Sequence, residues 1–271
     1  MNLFKPMLYV LFASAVILVS SALLTNTPDI EAGDLQVSTL LEKTAINPML
    51  ISYTPNRHWA YILTSGSNDV TVYDLTINTL TNVSIAVGST PIDMAITSDS
   101  STGYVVNSGD NNISIIDLST NTVTGSPISV GTNPQGIRIT PNGDYAYVVN
   151  ADDNNVSVID LSTNTVTGST ISVGTNPMDI DITPNGNYAY IPNMGSSNIS
   201  VIDLSSNTVS TTISVNSNPT AISITADGLY ALIAYEGSTN ITKINLTTNT
   251  VSGPTYTMDA PFLRALFYRN T

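Results

Sequence analysis

The chain of 271 residues is 42% hydrophobic and only 10% charged, and Ser, Thr and Asn supply most of its other polar groups. This composition provides apolar material for a large core and excludes an intrinsically disordered chain. The formal net charge of -13 excludes nucleic acid and anionic lipid headgroups as main partners, because both require a cationic surface.

The N-terminus has the pattern of an export signal. Lys5 and the initial amine precede an apolar run that begins at Leu8, and small residues offer a cleavage site after Ala22. The run of about 17 residues also reaches the lower limit for a membrane-spanning helix. We predict that residues 1–22 are a signal peptide or an N-terminal membrane anchor, followed by a linker over 23–33. Both alternatives predict an exported protein that is secreted, periplasmic or at the cell surface, with membrane contact only through an uncleaved N-terminal segment.

The remainder of the chain is an internal repeat. The segment ISVGTNPQGIRITPNGDYAYVVN at 128–150 returns as ISVGTNPMDIDITPNGNYAYIPN at 171–193. A Pro in the same motif recurs at intervals of 43 or 42 residues, at Pro48, Pro91, Pro134, Pro177, Pro219 and Pro261. A repeat of this length is typical of a structural unit that buries its faces only by stacking on copies of itself. The repeats start near residues 47, 90, 133, 176 and 218, with a partial repeat from 260.

Each unit contains four short apolar runs, which in the third unit are GIRIT, YAYVV, VSVIDL and TVTGSTISV. They are rich in β-branched and aromatic residues and partly alternate, which predicts strands. The segments between them, PNGD, NADDNN and STNT, are typical turn sequences. Four strands per repeat predict an all-β fold: a β-propeller of four-stranded antiparallel blades over 34–271, with five complete repeats and an incomplete sixth.

The repeat motifs resemble those of the YVTN β-propeller family. Tyr104–Asn107 and Tyr147–Asn150 match its namesake tetrapeptide, Tyr190–Asn193 matches it more loosely, and the NP, ITPNG, VIDL and TNTV segments are also typical. The resemblance implies the propeller fold and a secreted or surface-layer-like protein. Members often have about seven blades, so closure of this ring is open to three interpretations: five blades with loosely docked ends, an arc completed by a partner, or a shortened gene product. We favour five blades plus a remnant built from 35–47 and 261–271.

The channel face offers the first candidate ligand site. On each inner strand the second and fourth residues after the repeat Pro point away from the apolar face. In the second to fourth units these positions include a set of charged residues, namely Asp93, Arg138, Asp179 and Asp181. We predict that they gather at one mouth of the channel, where they either form solvated lining or bind a cation or polar ligand.

The loops between the second and third strands vary from unit to unit and offer a second candidate site. Asp110, Asp152 and Asp153 place carboxylate oxygens on this rim. Hard oxygens suit calcium, so a weak calcium site at Asp152 and Asp153 is the only cofactor that we consider. With His58 as the one His, and no Cys, a zinc site of ordinary composition is excluded.

Two sets of polar residues recur in phase with the repeat. An Asp that ends the third strand is suited to accept bonds from the amides of the following turn, which predicts a structural role for Asp74, Asp117, Asp160 and Asp203. Asn-X-Ser/Thr sequences are formal N-glycosylation sites, and they recur at Asn112, Asn155, Asn198 and Asn240. The alternative for these Asn residues is a turn position that precedes a strand.

These observations predict a non-enzymatic binding or interaction scaffold, secreted or at the cell surface, with a protein or glycan ligand. One alternative is a structural surface-layer or adhesive protein that forms homo-oligomers through the edges of the incomplete ring. A further alternative is a propeller enzyme, such as a lactonase or a quinoprotein-like dehydrogenase. The shortage of non-repeated His, Glu, Arg and Trp residues disfavours the enzyme, and no catalytic residue is predicted.

Overall fold

The computed structural model describes residues 8–12, 15–19, 48–253, 256–257 and 265–266. Every regular element within these residues is a β-strand. Within the same residues, no helix is long and apolar enough to cross a membrane. Five antiparallel sheets follow one another along the chain, which confirms the all-β fold with five complete repeats.

The strands follow each other in the order of the repeats. Before the first blade lie β1 (Leu8–Phe12) and β2 (Ala15–Val19). Blade 1 contains β3 (Pro48–Tyr53), β4 (Trp59–Thr64), β5 (Asp69–Asp74) and β6 (Thr79–Ala86). Blade 2 contains β7 (Pro91–Ile96), β8 (Thr102–Asn107), β9 (Asn112–Asp117) and β10 (Thr122–Ser129). Blade 3 contains β11 (Pro134–Ile139), β12 (Tyr145–Asn150), β13 (Asn155–Asp160), β14 (Thr165–Val166) and β15 (Ile171–Ser172).

The last two blades have the same plan. Blade 4 contains β16 (Asp181–Ile182), β17 (Tyr188–Asn193), β18 (Asn198–Asp203) and β19 (Thr208–Ser214). Blade 5 contains β20 (Pro219–Ile224), β21 (Tyr230–Tyr235), β22 (Asn240–Asn245), β23 (Thr250–Val251) and β24 (Tyr256–Thr257), and β25 (Ala265–Leu266) follows it. Strands that are neighbours in sequence pair in each blade, and the strand after the repeat Pro is the innermost.

Two strands are less regular than the sequence predicts. The run TVTGSTISV was expected to form one outer strand, but in blade 3 it is split at Gly168 into β14 and β15. The inner strand of blade 4 is reduced to Asp181–Ile182 and an isolated bridge between Pro177 and Asn193. Pro192 accepts a bond from Met178 N–H but has no N–H to return, so the ladder is interrupted at this point.

Asn residues make the turns of the repeat possible. In every turn between the third and fourth strands, one Asn has a positive φ of 53° to 55°: Asn78, Asn121, Asn164, Asn207 and Asn249. Asn tolerates this left-handed conformation better than most residues with a side chain. Each turn therefore reverses the chain at the same place and keeps the register of the four strands the same from blade to blade.

The core lies between consecutive blades. In the cluster between blades 2 and 3, Val106 and Ile115 of blade 2 pack with Ile137, Val148 and Ile159 of blade 3. Equivalent clusters join blades 1 and 2, 3 and 4, and 4 and 5. The sheets of blades 2, 3 and 4 are thus apolar on both faces, and each is shielded from water by its two neighbours.

A tyrosine hydroxyl adds a polar link to each of these interfaces. The first Tyr of each YVTN-type segment donates to the turn Asn of the following blade, 59 or 60 residues later in the chain. The bonds measure 2.7 to 2.8 Å and join Tyr61 to Asn121, Tyr104 to Asn164, Tyr147 to Asn207, and Tyr190 to Asn249. We call these bonds the Tyr–Asn links.

The outward faces of blades 1 and 5 depart from this pattern. In blade 1, Asn78 accepts a bond from Tyr73 of its own blade, at 2.6 Å. In blade 5, Leu232 occupies the position of the linking Tyr, and the residue paired with it across the ladder is Lys243. The linking Tyr of the other four blades is paired with Val72, Ile115, Val158 or Val201. Blade 5 therefore presents a less apolar face, without a hydroxyl donor at this position.

A small three-stranded sheet lies beside blades 1 and 5. β1 and β2 are antiparallel, and β2 pairs in parallel with β25. β2 contacts β3 of blade 1, and β25 contacts β20 of blade 5. The expected inner strand after Pro261 is thus seen in part, at Ala265–Leu266. It pairs with β2. The expected outer strand from 35–47 and the predicted linker over 23–33 lie outside the described residues.

Candidate functional site

The four charged residues predicted for the channel face come together. Arg138 Nη1 is 3.0 Å from Asp93 Oδ2, its Nη2 is 3.6 Å from Asp179 Oδ1, and its Nε is 3.8 Å from Asp181 Oδ1. Their side chains are only 11% to 19% exposed. The strand geometry accounts for the meeting, because the second and fourth positions of adjacent inner strands lie side by side. We call this group the Arg138 cluster.

The carboxylates of the Arg138 cluster also join consecutive blades. Each accepts a backbone N–H from the inner strand of the following blade: Asp93 from Ile137 at 2.9 Å, Asp179 from Ile222 at 3.0 Å, and Asp181 from Ile224 at 2.8 Å. Bonds from backbone amides to carboxylates are charge-assisted and stronger than neutral ones. The cluster therefore has a structural role at the interfaces between blades 2 and 3 and between blades 4 and 5.

A missing side chain makes room for the Arg138 cluster. Gly136 occupies the second inner-strand position of blade 3, between the carboxylates of blades 2 and 4. A Cβ at Gly136 would lie 3.4 Å from Asp179 Oδ1 and 3.5 Å from Asp93 Oδ2. Any residue larger than Ala at this position would therefore push these two carboxylates away from Arg138.

Three carboxylates surround one guanidinium, so the cluster has more acidic than basic groups. The pKa values of Arg138, Asp179 and Asp181 are shifted. Burial raises the pKa of Asp179 from 3.8 to about 7 and that of Asp181 from 3.8 to about 6, although Arg138 acts in the opposite direction. Burial lowers the pKa of Arg138, but the carboxylates, Asp93 first, raise it above its ordinary value. Arg138 thus stays charged, while Asp179 and Asp181 can hold protons near neutral pH. Chemically, the cluster can bind blades together, take up protons, and attract a cation.

The predicted rim carboxylates have partners in the neighbouring blade connections. Asp110 Oδ2 accepts the N–H of Ser89 at 2.8 Å, and Asp153 Oδ2 accepts that of Thr132 at 2.7 Å. Asp152 Oδ1 accepts a bond from Asn133 Nδ2 at 3.0 Å. These bonds tie each variable loop to the connection that enters its own blade. Within the described residues, no group of three or more His, Asp or Glu side chains could hold a metal ion, and the calcium site stays a prediction.

A buried Asn and a Gly complete this rim. Asn150 is fully buried, and its Nδ2 donates to Asn155 Oδ1 and Ser157 Oγ. Gly131 lies directly on this side chain, since a Cβ there would be 2.6 Å from both Asn150 Cγ and Asp153 Oδ2. The same arrangement recurs at Asn107 and Asn193, so the Asn of the YVTN motif supports the rim. The sequence analysis found this Asn as a motif residue but not its role.

The phased Asp residues accept bonds from the turns that follow them. Each Oδ1 accepts the backbone N–H of the residue two positions later, at 2.8 or 2.9 Å, in Asp74, Asp117, Asp160 and Asp203. The hydroxyl of that same residue donates to the same oxygen, and this bond is the main reason that the pKa of each Asp is lowered. The geometry is that of a turn cap, as expected from the sequence.

The four candidate glycosylation sites lie at the first residue of the third strand and are half-buried. The side-chain oxygens of Asn112, Asn155 and Asn198 accept bonds from the buried rim Asn residues. Asn240 accepts a longer bond of 3.5 Å from Thr257 Oγ1. Their glycosylation stays a prediction.

The fold and its repeated blades define a β-propeller. The family model of the YNCE-like beta-propeller matches residues 6–254, so the chain belongs to this family. The match confirms the resemblance to YVTN-type propeller repeats that the sequence motifs indicated. No curated protein matches the sequence.

Solved structures of other propellers are similar to this chain. Hydrazine synthase of Kuenenia stuttgartiensis matches with a TM-score of 0.69 and 24% identity over 76% of this chain, which spans 65% of that one. A functionally unknown protein from Desulfotomaculum acetoxidans matches with a TM-score of 0.69 and 19% identity, over 80% of this chain and 73% of that one. At these identities the likeness shows the fold alone.

Proposed function

We propose that this protein is an exported, non-enzymatic β-propeller that binds a protein or glycan partner at the cell surface. The partner surface is the variable rim, which consists of the loops between the second and third strands of the five blades: 64–69, 107–112, 150–155, 193–198 and 234–240. The apolar segment at the N-terminus supports export, as does the acidic and charge-poor composition.

The observation that carries the proposal is the rigid attachment of loops that differ in sequence. Asp110, Asp153 and Ser196 occupy equivalent regions of three loops, and each accepts a backbone N–H from the preceding connection. The loops differ two residues earlier, at Ser108, Ala151 and Met194, and the exposed position between is Asp152 in blade 3 but Gly in the other blades. A surface that is already ordered loses little conformational entropy when it binds, which favours recognition.

The bonding of the channel-face carboxylates supports a non-enzymatic role. The carboxylates of the Arg138 cluster are bonded to backbone amides of neighbouring blades, which favours a structural use of these groups. His58 lies in an exposed turn at the opposite end of the strands from the variable rim. One structural neighbour is a hydrazine synthase, and the similarity of this chain to that protein concerns the fold alone.

Binding to the cell envelope tests the proposal. Labelled full-length protein should bind saturably to washed envelopes of the source organism. Asp152→Lys and Glu236→Lys reverse the charge at exposed rim positions, and each should weaken binding by about tenfold, because a misplaced charge in an interface is repelled. Thr211→Lys on the exposed outer strand of blade 4 is the control and should bind normally. Rim variants that bind like the unmodified protein would contradict the proposal.

Self-association is the second candidate function, and the outer strands favour it. β6, β10 and β19 are largely exposed and contain no charged residue. Native sheets commonly protect such edges with charges, because unpaired edge groups can pair with another chain. Sedimentation velocity over a wide concentration range should then reveal discrete oligomers. A monomer at all concentrations would exclude this function and leave the first one untouched.

A further inference from the structure

Half of the exposed large apolar side chains of the described residues lie on the rim opposite the variable loops. We call this edge the turn rim; it is formed by the turns between the first and second strands and between the third and fourth strands of each blade. Among the described residues, eight large apolar side chains are strongly exposed. Four of them lie on the turn rim, namely Ile77, Tyr145, Tyr188 and Leu229, and the other four lie on outer strands.

The aromatic positions of the turn rim have the same backbone geometry from blade to blade. Tyr145 N–H donates to Thr140 Oγ1 at 3.1 Å, and the same hydroxyl donates to the Tyr145 carbonyl at 3.1 Å. This reciprocal pair of bonds is repeated at the start of the second strand in other blades, at Trp59, Tyr188 and Tyr230. Each ring therefore projects from a fixed position at the end of its strand.

Contacts between turns join these positions into one continuous surface. Gly186 of blade 4 lies against Pro141 of blade 3, where an added Cβ would be 3.5 Å from the Pro ring. Gly228 of blade 5 lies against Pro184 of blade 4 in the same way, at 3.3 Å. The turns that precede Tyr145 and Tyr188 therefore contact neighbouring turns. The bonds from Thr140 and Thr183 hold the same backbone within each blade.

The charges beside the two tyrosines define the class of ligand. Across the ladder, Tyr145 is paired with Asp160 and Tyr188 with Asp203, and the exposed Asp144 and Asn187 precede the rings. No Lys or Arg occurs in the turns of blades 3 and 4. This surface repels anions, whereas a neutral sugar can stack its apolar face on an aromatic ring and donate its hydroxyls to carboxylate and amide oxygens.

We propose that the turn rim of blades 3 and 4 binds a neutral polysaccharide, with its sugar rings stacked on Tyr145 and Tyr188. The two rings are 37% to 39% exposed, so a ligand would bury apolar area that is now in water. Two equivalent positions on adjacent blades favour a chain of several sugars over a monosaccharide. This site lies on the opposite rim from the proposed partner surface and is independent of it.

Calorimetry with defined oligosaccharides tests the proposal on the full-length protein. The probes are cellohexaose and chitohexaose, which are neutral, and hexagalacturonate, which is acidic. At least one neutral probe should bind saturably and the acidic probe should not. Tyr145→Ala and Tyr188→Ala should each weaken binding by about tenfold, whereas Tyr145→Phe should retain it because the ring remains. Circular dichroism of each variant checks that the β-sheet signal is unchanged.

Two control variants separate this site from other surfaces. Tyr256→Ala removes an exposed aromatic ring from an outer strand and should leave binding intact. Glu236→Lys changes the variable rim and should also leave it intact. The proposal is overturned if neither neutral probe binds, if the two tyrosine variants bind like the unmodified protein, or if Tyr145→Phe loses binding. Loss of binding in Glu236→Lys would indicate that the glycan binds to the variable rim, and it would also overturn the proposal.

Discussion

Single hydrogen bonds between side chains supplement the apolar packing between neighbouring blades. The Tyr–Asn links connect a rigid ring in one sheet to a turn in the next, so they restrict rotation about the apolar interface. Tyr147 is buried, and burial raises the pKa of its hydroxyl to about 12. The hydroxyl therefore remains protonated, and can donate, at neutral and moderately alkaline pH.

Removal of one link should weaken the protein by a predictable amount. Tyr147→Phe deletes the bond to Asn207 but leaves the ring in place. We expect a loss of about 1 kcal/mol in the free energy of unfolding, because Asn207 is exposed and its oxygen can return to water. Urea denaturation at neutral pH measures the loss. Tyr145→Phe, which removes an exposed hydroxyl two residues away, is the matched control; an equal loss in both variants would contradict this account of the link.

The Arg138 cluster predicts that mild acid stabilises the protein. Asp179 and Asp181 have raised pKa values of about 7 and about 6 in the folded chain, against ordinary values of 3.8. Between the ordinary pKa of 3.8 and the raised values, the folded state binds more protons than the unfolded state. The free energy of unfolding therefore increases as the pH falls from 8 to about 5. The only other charged groups of the cluster are Arg138 and Asp93, within the described residues.

Thermal unfolding at a series of pH values measures this effect. The melting temperature of the unmodified protein should rise on acidification from pH 8 to about 5, while Asp179→Asn/Asp181→Asn should show a smaller rise. Below about pH 4 the trend should reverse, because the phased Asp residues have lowered pKa values and lose their turn-capping bonds on protonation. An unchanged pH profile in the double variant would show that other groups dominate the titration.

At the scale of elements, the connection into a blade is held by the blade's own rim loop. Gly131 is required because the backbone of this connection passes within contact distance of Asn150 and Asp153. The amide bond from Thr132 to Asp153 then fixes the loop. Connection and loop thus form one unit, and a change in either should move both.

A Gly→Ala pair tests this close approach. Gly131→Ala should lower the free energy of unfolding by about 2 kcal/mol, because its Cβ would overlap atoms that cannot move without loss of their bonds. Gly136→Ala, on the inner strand of the same blade, meets only ordinary contacts and should cost less than about 1 kcal/mol. Urea denaturation compares the two variants, and similar losses would contradict the assigned role of Gly131.

Most of the elements could be predicted from the sequence, because alternation and turn residues are local signals. The four strands of each repeat and the capping role of Asp160 follow from these signals. The break in the ladder at Pro192 could not be located from the sequence. A Pro interrupts a ladder only where its missing N–H would have faced the neighbouring strand, and the sequence does not say which strand that is. The meeting of Arg138 with Asp181 was expected from strand alternation, but the bonds from Asp93 to Ile137 and from Asp179 to Ile222 depend on the spacing between blades, which no local pattern contains.

At the scale of the whole molecule, the outward face of blade 5 differs from the faces that join the other blades. Leu232 provides no link, and Lys243 occupies a position that is otherwise apolar. The ammonium group of Lys243 lies 4.5 Å from the ring centre of Tyr230, where it can stay hydrated. Atypical outer faces of this kind are characteristic of terminal units in repeat proteins.

Hydrogen exchange should therefore show a gradient of stability around the ring. Amides of β21 and β22 in blade 5 should exchange at least about tenfold faster than those of β12 and β13 in blade 3, because blade 3 has linked interfaces on both sides. Mass spectrometry of the full-length protein measures the two sets of peptides. Equal protection in blades 3 and 5 would show that the outward face of blade 5 is as stable as the linked interfaces.

The direction of the Tyr–Asn links has a consequence for biosynthesis. Every donor lies in the earlier blade and every acceptor about 60 residues downstream, so a nascent blade gains its partner only after the next one has left the ribosome. The first blade alone satisfies its own acceptor, through Tyr73 and Asn78. We expect the blades to assemble in chain order during translation. Blade 1 would fold first, and each later blade would then pack on the one before it.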